Sequence, residues 1–255
     1  MLNVLNANVR KVITELLRYL PNTFSTVFSF YAIFLMLFLG VRVMGDPSTQ
    51  ALNIQYTTVS TVLWMLALLS MQGIGWEITT EATRGTLEQL YMSPVGAWRI
   101  LLARMVATLL ANLVIIAVVL LLAMLTSGQW LSFDALTLVP LLFFLILCMI
   151  GVGFMVAGLA ILFKQIQAFL QIAQFVFFAL VAVPVSVSVW LELLPVVRGA
   201  SMVRAAMVEG VRVSEFMLTD WGLLVMNALV YFGLGVLVYL RAEKVAMQRG
   251  LLGQY

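Results

Sequence analysis

Stretches free of Asp, Glu, Lys and Arg dominate this chain, separated by short polar punctuation. The uninterrupted runs lie at 19–41, 47–76, 105–133, 135–163, 165–191 and 221–240. About 20 apolar residues, rising 1.5 Å each, cross roughly 30 Å of hydrocarbon, and every run is that long. Lipid offers no partner to a free backbone N–H or C=O, so such segments cross as helices. The pattern predicts an all-α, polytopic membrane protein. Its six transmembrane helices are expected at about 23–43, 56–76, 100–126, 137–162, 166–190 and 221–240.

Two further segments have mixed polarity. Over 2–20, Leu2, Leu5, Val9, Val12, Ile13, Leu16, Leu17 and Leu20 recur at helical spacing, interleaved with Asn6, Asn8, Arg10, Lys11, Glu15 and Arg18. This predicts an amphipathic helix lying in the membrane interface, with Pro21 and Asn22 breaking it before the first span. A surface helix packed on protein fits the same pattern. Between spans 5 and 6, Glu192, Arg198, Arg204, Glu209, Arg212, Glu215 and Asp220 alternate with Leu193, Leu194, Met202, Val203, Met207 and Phe216, divided by Pro195 and Gly210. Two short helices within 192–218, re-entrant or lying on the outer leaflet, would suit this pattern, as a gate or as a cap.

Composition agrees with the spans. Of 255 residues, 64% are hydrophobic and 10% charged, against about 25% charged in a soluble domain. The whole chain, 1–255, reads as one transmembrane domain. Arg10, Lys11, Arg18, Arg84, Arg99, Arg104, Lys164, Arg241, Lys244 and Arg249 fall on the side of both termini. Only Arg42, Arg198, Arg204 and Arg212 fall opposite. Positive charge marks the cytoplasmic side, so both termini are expected there, in a cell (inner or plasma) membrane. No signal-peptide cleavage site is evident. There is no histidine and one cysteine, Cys148. No catalytic group, metal site or nucleic-acid patch is expected. The three lysines follow Arg10, Phe163 and Glu243, so no phosphate-binding G-x-x-x-x-G-K-[ST] exists.

The segment Trp76–Arg104 carries the densest local signal. Thr86 with Gln89 has capping-box spacing, Gly85 allows a sharp entry, and Ser93-Pro94 stops a helix of about two turns. Leu87, Leu90 and Tyr91 share one face. Trp98 and Arg99 anchor the next span at the interface. Such a short helix held between spans 2 and 3 suits docking on a cytosolic partner; a structured turn is the alternative.

The string E-x-x-R-G-T-L-E-Q-L-x-x-S-P closely resembles the signature loop of type-2 ATP-binding-cassette (ABC) exporter permeases. It comprises Glu81, Arg84, Gly85, Thr86, Leu87, Glu88, Gln89, Leu90, Ser93 and Pro94. That family also has an amphipathic helix before span 1, six spans and an external hairpin between spans 5 and 6. The resemblance implies that 77–97 is a coupling loop contacting separate cytosolic ATPase subunits. Those subunits would bind ATP and Mg, with no cofactor in this chain. It also implies a second permease copy or paralogue forming a dimeric pathway.

Candidate pathway residues follow. Phe24, Phe28, Tyr31, Phe34 and Phe38 fall on one face of span 1, at 100° per residue. They could line a pathway or pack on lipid and helices. Gln167, Gln171 and Gln174, continued by Phe178, share one face of span 5. Amides are costly in hydrocarbon, so this face is expected to meet protein or water. The resemblance implies that spans 2 and 5 lie near the pathway. In span 2, Gln72, Thr57, Thr58, Ser60 and Thr61 are weaker candidates. Gly153 and Ala157 in span 4, and Gly233 and Gly235 in span 6, read as close helix contacts. The alternative to an ATP-driven exporter is a secondary transporter or channel without an ATPase. Ion coupling would need ionisable groups inside the spans, and the six charge-free cores carry none.

Overall fold

The computed structural model describes residues 2–83, 89, 92–93, 97–163, 166–183 and 188–248. The described residues form helices α1 (Leu2–Arg18), α2 (Leu20–Met44), α3 (Gln50–Thr83), α4 (Ala97–Ser127), α5 (Ala135–Phe163), α6 (Gln167–Ala182), α7 (Val197–Arg204) and α8 (Leu218–Gln248). A 3-10 turn at Val189–Leu193 precedes α7, and a π turn at Ala205–Glu209 continues it. Among the described residues five helices are long and apolar enough to cross a membrane: α2, α3, α4, α5 and α8.

The fifth expected span is shorter than its charge-free run. A continuous helix over 166–190 is not found. Instead α6 has 16 residues, about 24 Å; Pro184, which by its missing N–H suggests a kink in the outer half of this span, lies outside the described residues. The break between α1 and α2 also differs. The first helix ends at Arg18, and Pro21 sits in the first turn of α2, where its missing N–H costs nothing. The loops between spans are tighter than expected. Gly45–Thr49 connects α2 to α3, where the Asp46 carboxylate accepts from the Ser48 backbone N–H at 2.9 Å and from Ser48 Oγ at 2.8 Å. These bonds hold its pKa below the usual carboxylate value.

The core centres on α3 and α5. Val59, Leu63, Met65, Met71 and Ile78 of α3 meet Leu141, Leu145, Met149 and Ile161 of α5. Small residues set the spacing. A Cβ on Gly235 of α8 would stand 2.0 Å from the Gly151 carbonyl oxygen, and one on Gly153 would stand 2.8 Å from the Met71 oxygen. Helix α5 is therefore in backbone contact with α8 on one side and α3 on the other. Gly233 meets nothing within 4 Å, which corrects its reading as a packing glycine. Helix α1 lies against α4, leaving Ile13 and Leu17 exposed, so it combines packing on protein with an apolar outward edge.

The segment between the fifth and sixth expected spans packs into the fold. Val197, Ala200, Met202, Val203, Ala206 and Met207 are buried, and Gly199 sits against Leu145 of α5. Entry to α7 passes through Val196 at φ 71°, a left-handed conformation that a β-branched residue adopts only under strain. Exit passes through Gly210, whose φ of 74° is easy for glycine.

Candidate functional site

The second half of α2, the first turns of α3, the end of α6, and α7 with its π turn line a half-open cavity of about 730 Å³. Leu37 and Val41 of α2 form one wall. Asn53, Tyr56, Thr57, Ser60 and Thr61 of α3 form the second. Phe178 and Ala182 of α6, with Ser201, Arg204, Ala205 and Glu209, complete it. The α3 hydroxyls of Thr57, Ser60 and Thr61 lie one helical turn apart on one face. Thr57 and Thr61 donate to the carbonyls of Asn53 and Thr57, both at 2.8 Å, which satisfies them within the helix. Tyr56 Oη donates to Glu209 Oε1 at 2.5 Å, joining α3 to the end of the π turn.

Arg204 is the buried charge of this cavity, 8% exposed. Its Nη1 donates to the Val181 carbonyl and, at 3.3 Å, to Ser60 Oγ; Nη2 donates to the Val183 carbonyl at 3.3 Å. The guanidinium thus occupies the C-terminal end of α6, where unpaired carbonyls carry partial negative charge. Behind Phe178, Trp64 meets its ring edge-on at 5.4 Å and donates Nε1–H to the Gln174 carbonyl at 3.0 Å. The same indole meets Phe30 of α2 edge-on at 6.4 Å.

At the opposite end, α3 runs 34 residues, about 51 Å, well beyond the hydrocarbon thickness. Its last turns carry Glu77 and Glu81, so the segment 77–83 is helix rather than the expected loop. Both carboxylates face Arg104 of α4, at 3.4 and 2.5 Å. Of the candidate coupling residues, Glu81 belongs to this cluster, Gln89 is helical and exposed, and Ser93 is half-buried. Arg84, Gly85, Thr86, Leu87, Glu88, Leu90 and Pro94 lie outside the described residues.

The candidate pathway residues separate. Phe24 and Phe28 are exposed, whereas Phe34 and Phe38 are buried, stacked with Tyr31 against Ile54 and Ala123. Tyr31 also reaches Thr126 of α4 at 2.5 Å. On α6, Gln171 is exposed and Gln174 half-buried; nothing is described of the Gln167 side chain. Gln72 is half-buried on α3. Only Phe178 of the principal candidates lines the cavity, together with Thr57, Ser60 and Thr61 of the weaker set.

Sequence reasoning missed Tyr56, Arg204 and Glu209 as one group, and missed the Glu77–Arg104–Glu81 cluster. Arg204 sits among seven alternating charges, a pattern that reads as a solvated surface helix. The signal that could have found it is its immediate setting, Met202-Val203-Arg204-Ala205-Ala206-Met207, a lone charge in an apolar stretch.

A family model described as ABC-2 family transporter protein matches residues 2–237. No curated protein matches the chain.

Proposed function

We propose that this chain, which belongs to the ABC-2 transporter family, is the membrane-spanning permease subunit of an ATP-driven exporter. The family match over nearly the whole chain carries the reading. The chain is a multi-pass membrane protein and an ABC-2 permease. The proposal adds direction, partners and mechanism. Separate cytosolic ATPase subunits bind ATP and Mg and dock on the loop between α3 and α4. A second permease copy or paralogue completes the pathway. Both termini are cytoplasmic, and α6 is the fifth of six crossings.

Two features support this. Helix α6 is too short to reach across the hydrocarbon alone, but its final carbonyls are met by Arg204 inside the protein. Irregular backbone at membrane depth is tolerated where protein covers it. The Glu77–Arg104–Glu81 cluster fastens the end of α3 to the start of α4. A push on the intervening loop is thereby delivered to two crossings together, and α3 forms a wall of the cavity at the far end.

The test is co-purification of a tagged copy from its native membrane, followed by reconstitution. An ABC ATPase is expected in the eluate. Gly85→Pro and Glu88→Ala are expected to abolish transport-coupled ATP turnover with membrane insertion intact. Undiminished coupled turnover in both variants would overturn the coupling assignment.

A further inference from the structure

Among the described residues three arginines are buried or half-buried, and they are paired differently. Arg104 holds two carboxylates, Glu77 and Glu81. Arg198 also holds two, Glu192 and Asp220. Arg204 is the deeper one, and among the described residues no carboxylate lies within 4 Å of it. Its partners are two backbone carbonyls and a serine hydroxyl. The end of a helix supplies about half a negative charge, which offsets the guanidinium only in part. A charge buried to this extent among neutral partners is costly.

From this uncompensated guanidinium on the wall of a 730 Å³ cavity, we propose that the cavity binds the anionic head, a carboxylate or phosphate, of an amphipathic molecule. The volume falls within the range of small-molecule sites, about 300–1,000 Å³. Three of the five guanidinium N–H groups are taken by neutral oxygens, which leaves two for a ligand oxygen. Around the charge the chemistry is divided as an amphiphile requires. Ser201 and Thr57 stand on the polar side, while Leu37, Val41 and Phe178 offer an apolar wall for a chain. Glu209 lines the same cavity, is exposed and accepts from Tyr56, and it makes no ion pair with Arg204. The inference rests on the permease reading only in taking the ligand as cargo. A lipid headgroup has the same chemistry and would occupy the same place.

The experiment is equilibrium binding to the full chain in phosphatidylcholine nanodiscs, without any ATPase. The probes are radiolabelled dodecyl phosphate, dodecanol and dodecyltrimethylammonium, which share one tail. Dodecyl phosphate is expected to bind at least about tenfold more tightly than the other two, the scale of a charge-assisted hydrogen-bond pair. Arg204→Gln should erase the preference and Arg204→Lys should keep most of it. Equal affinity of the three probes for the unaltered chain overturns the proposal, whatever the variants do. So does an undiminished preference in Arg204→Gln. Phosphatidylglycerol in the discs separates the two sources. Competition with the probe identifies a lipid headgroup. No competition, with ATP-driven movement of the probe in the assembled transporter, identifies cargo, and both results place an anion at Arg204. Because no ATPase takes part in the binding, its failure leaves the permease reading intact. Failure to recover an ATPase leaves the binding result intact.

Discussion

Arg104, Glu77 and Glu81 show how distance and exposure rank single residues. Glu81 stands 2.5 Å from Nη1 with its side chain 15% exposed, and Glu77 stands at 3.4 Å, 33% exposed. A closer and drier partner contributes more, because water screens the other. Removing the cation leaves two carboxylates facing each other, which is worse than losing either acid. Arg104→Met is therefore expected to destabilise most, by about 1–3 kcal/mol. Glu81→Gln should follow, and Glu77→Gln should cost least. Thermal unfolding of the purified chain in one detergent checks the order, and a larger loss from Glu77→Gln than from Glu81→Gln would contradict it. The chain's sequence places Arg104 near the start of a span, and that residue lies in the second turn of α4. It does not reveal that the two glutamates are helical, since charge normally marks the end of a membrane helix. Here their pairing with Arg104 lets α3 continue to Thr83.

Between elements, the closest approach is that of α5 and α8. Gly151 and Gly235 meet backbone to backbone, and any Cβ at 235 would fall on the Gly151 carbonyl. No flexible side chain is available to yield, so the helices themselves must separate. Gly235→Ala is expected to lower stability by about 1–3 kcal/mol, the scale of an overpacked core. Gly233→Ala, two residues away, meets open space and should be neutral or slightly stabilising through better helix propensity. Melting temperatures of the two variants provide the check, and equal losses would refute the close contact. Spacing alone cannot separate these glycines. Five long helices are legible from apolar runs, because length and hydropathy are local properties. The end of α6 is not. Its carbonyls are satisfied by Arg204, which lies 22 residues from Ala182 in sequence, and no local pattern records that bond. For the same reason the charges of the 192–218 segment leave open whether its helices are re-entrant or lie on the outer leaflet. Arg198, Glu192 and Asp220 neutralise one another within the fold, and Arg204 turns inward.

At the scale of the whole molecule, the outward faces are not equivalent. Helix α5 shows lipid-compatible Leu136, Val139 and Phe143, and α2 shows Met36 and Val43. Helix α6 exposes Phe169, Ile172, Phe175 and Val176, with the Gln171 amide among them. An amide facing hydrocarbon without a partner costs several kcal/mol on a water-to-cyclohexane scale, about 4–8. A second protomer or a water-filled pathway removes that cost, whereas lipid does not. The α6 face is therefore where two copies are expected to meet. In a Cys148→Ser background, Gln171→Cys or Phe175→Cys should give a cross-linked dimer in native membranes with a short bifunctional maleimide. Phe143→Cys, on the apolar face of α5, should remain monomeric. Native Cys148 is buried, so its replacement removes a background thiol without touching the outer surface. A dimer through Phe143 with none through α6 would move the interface to the other side of the protein. It would also turn Gln171 toward lipid.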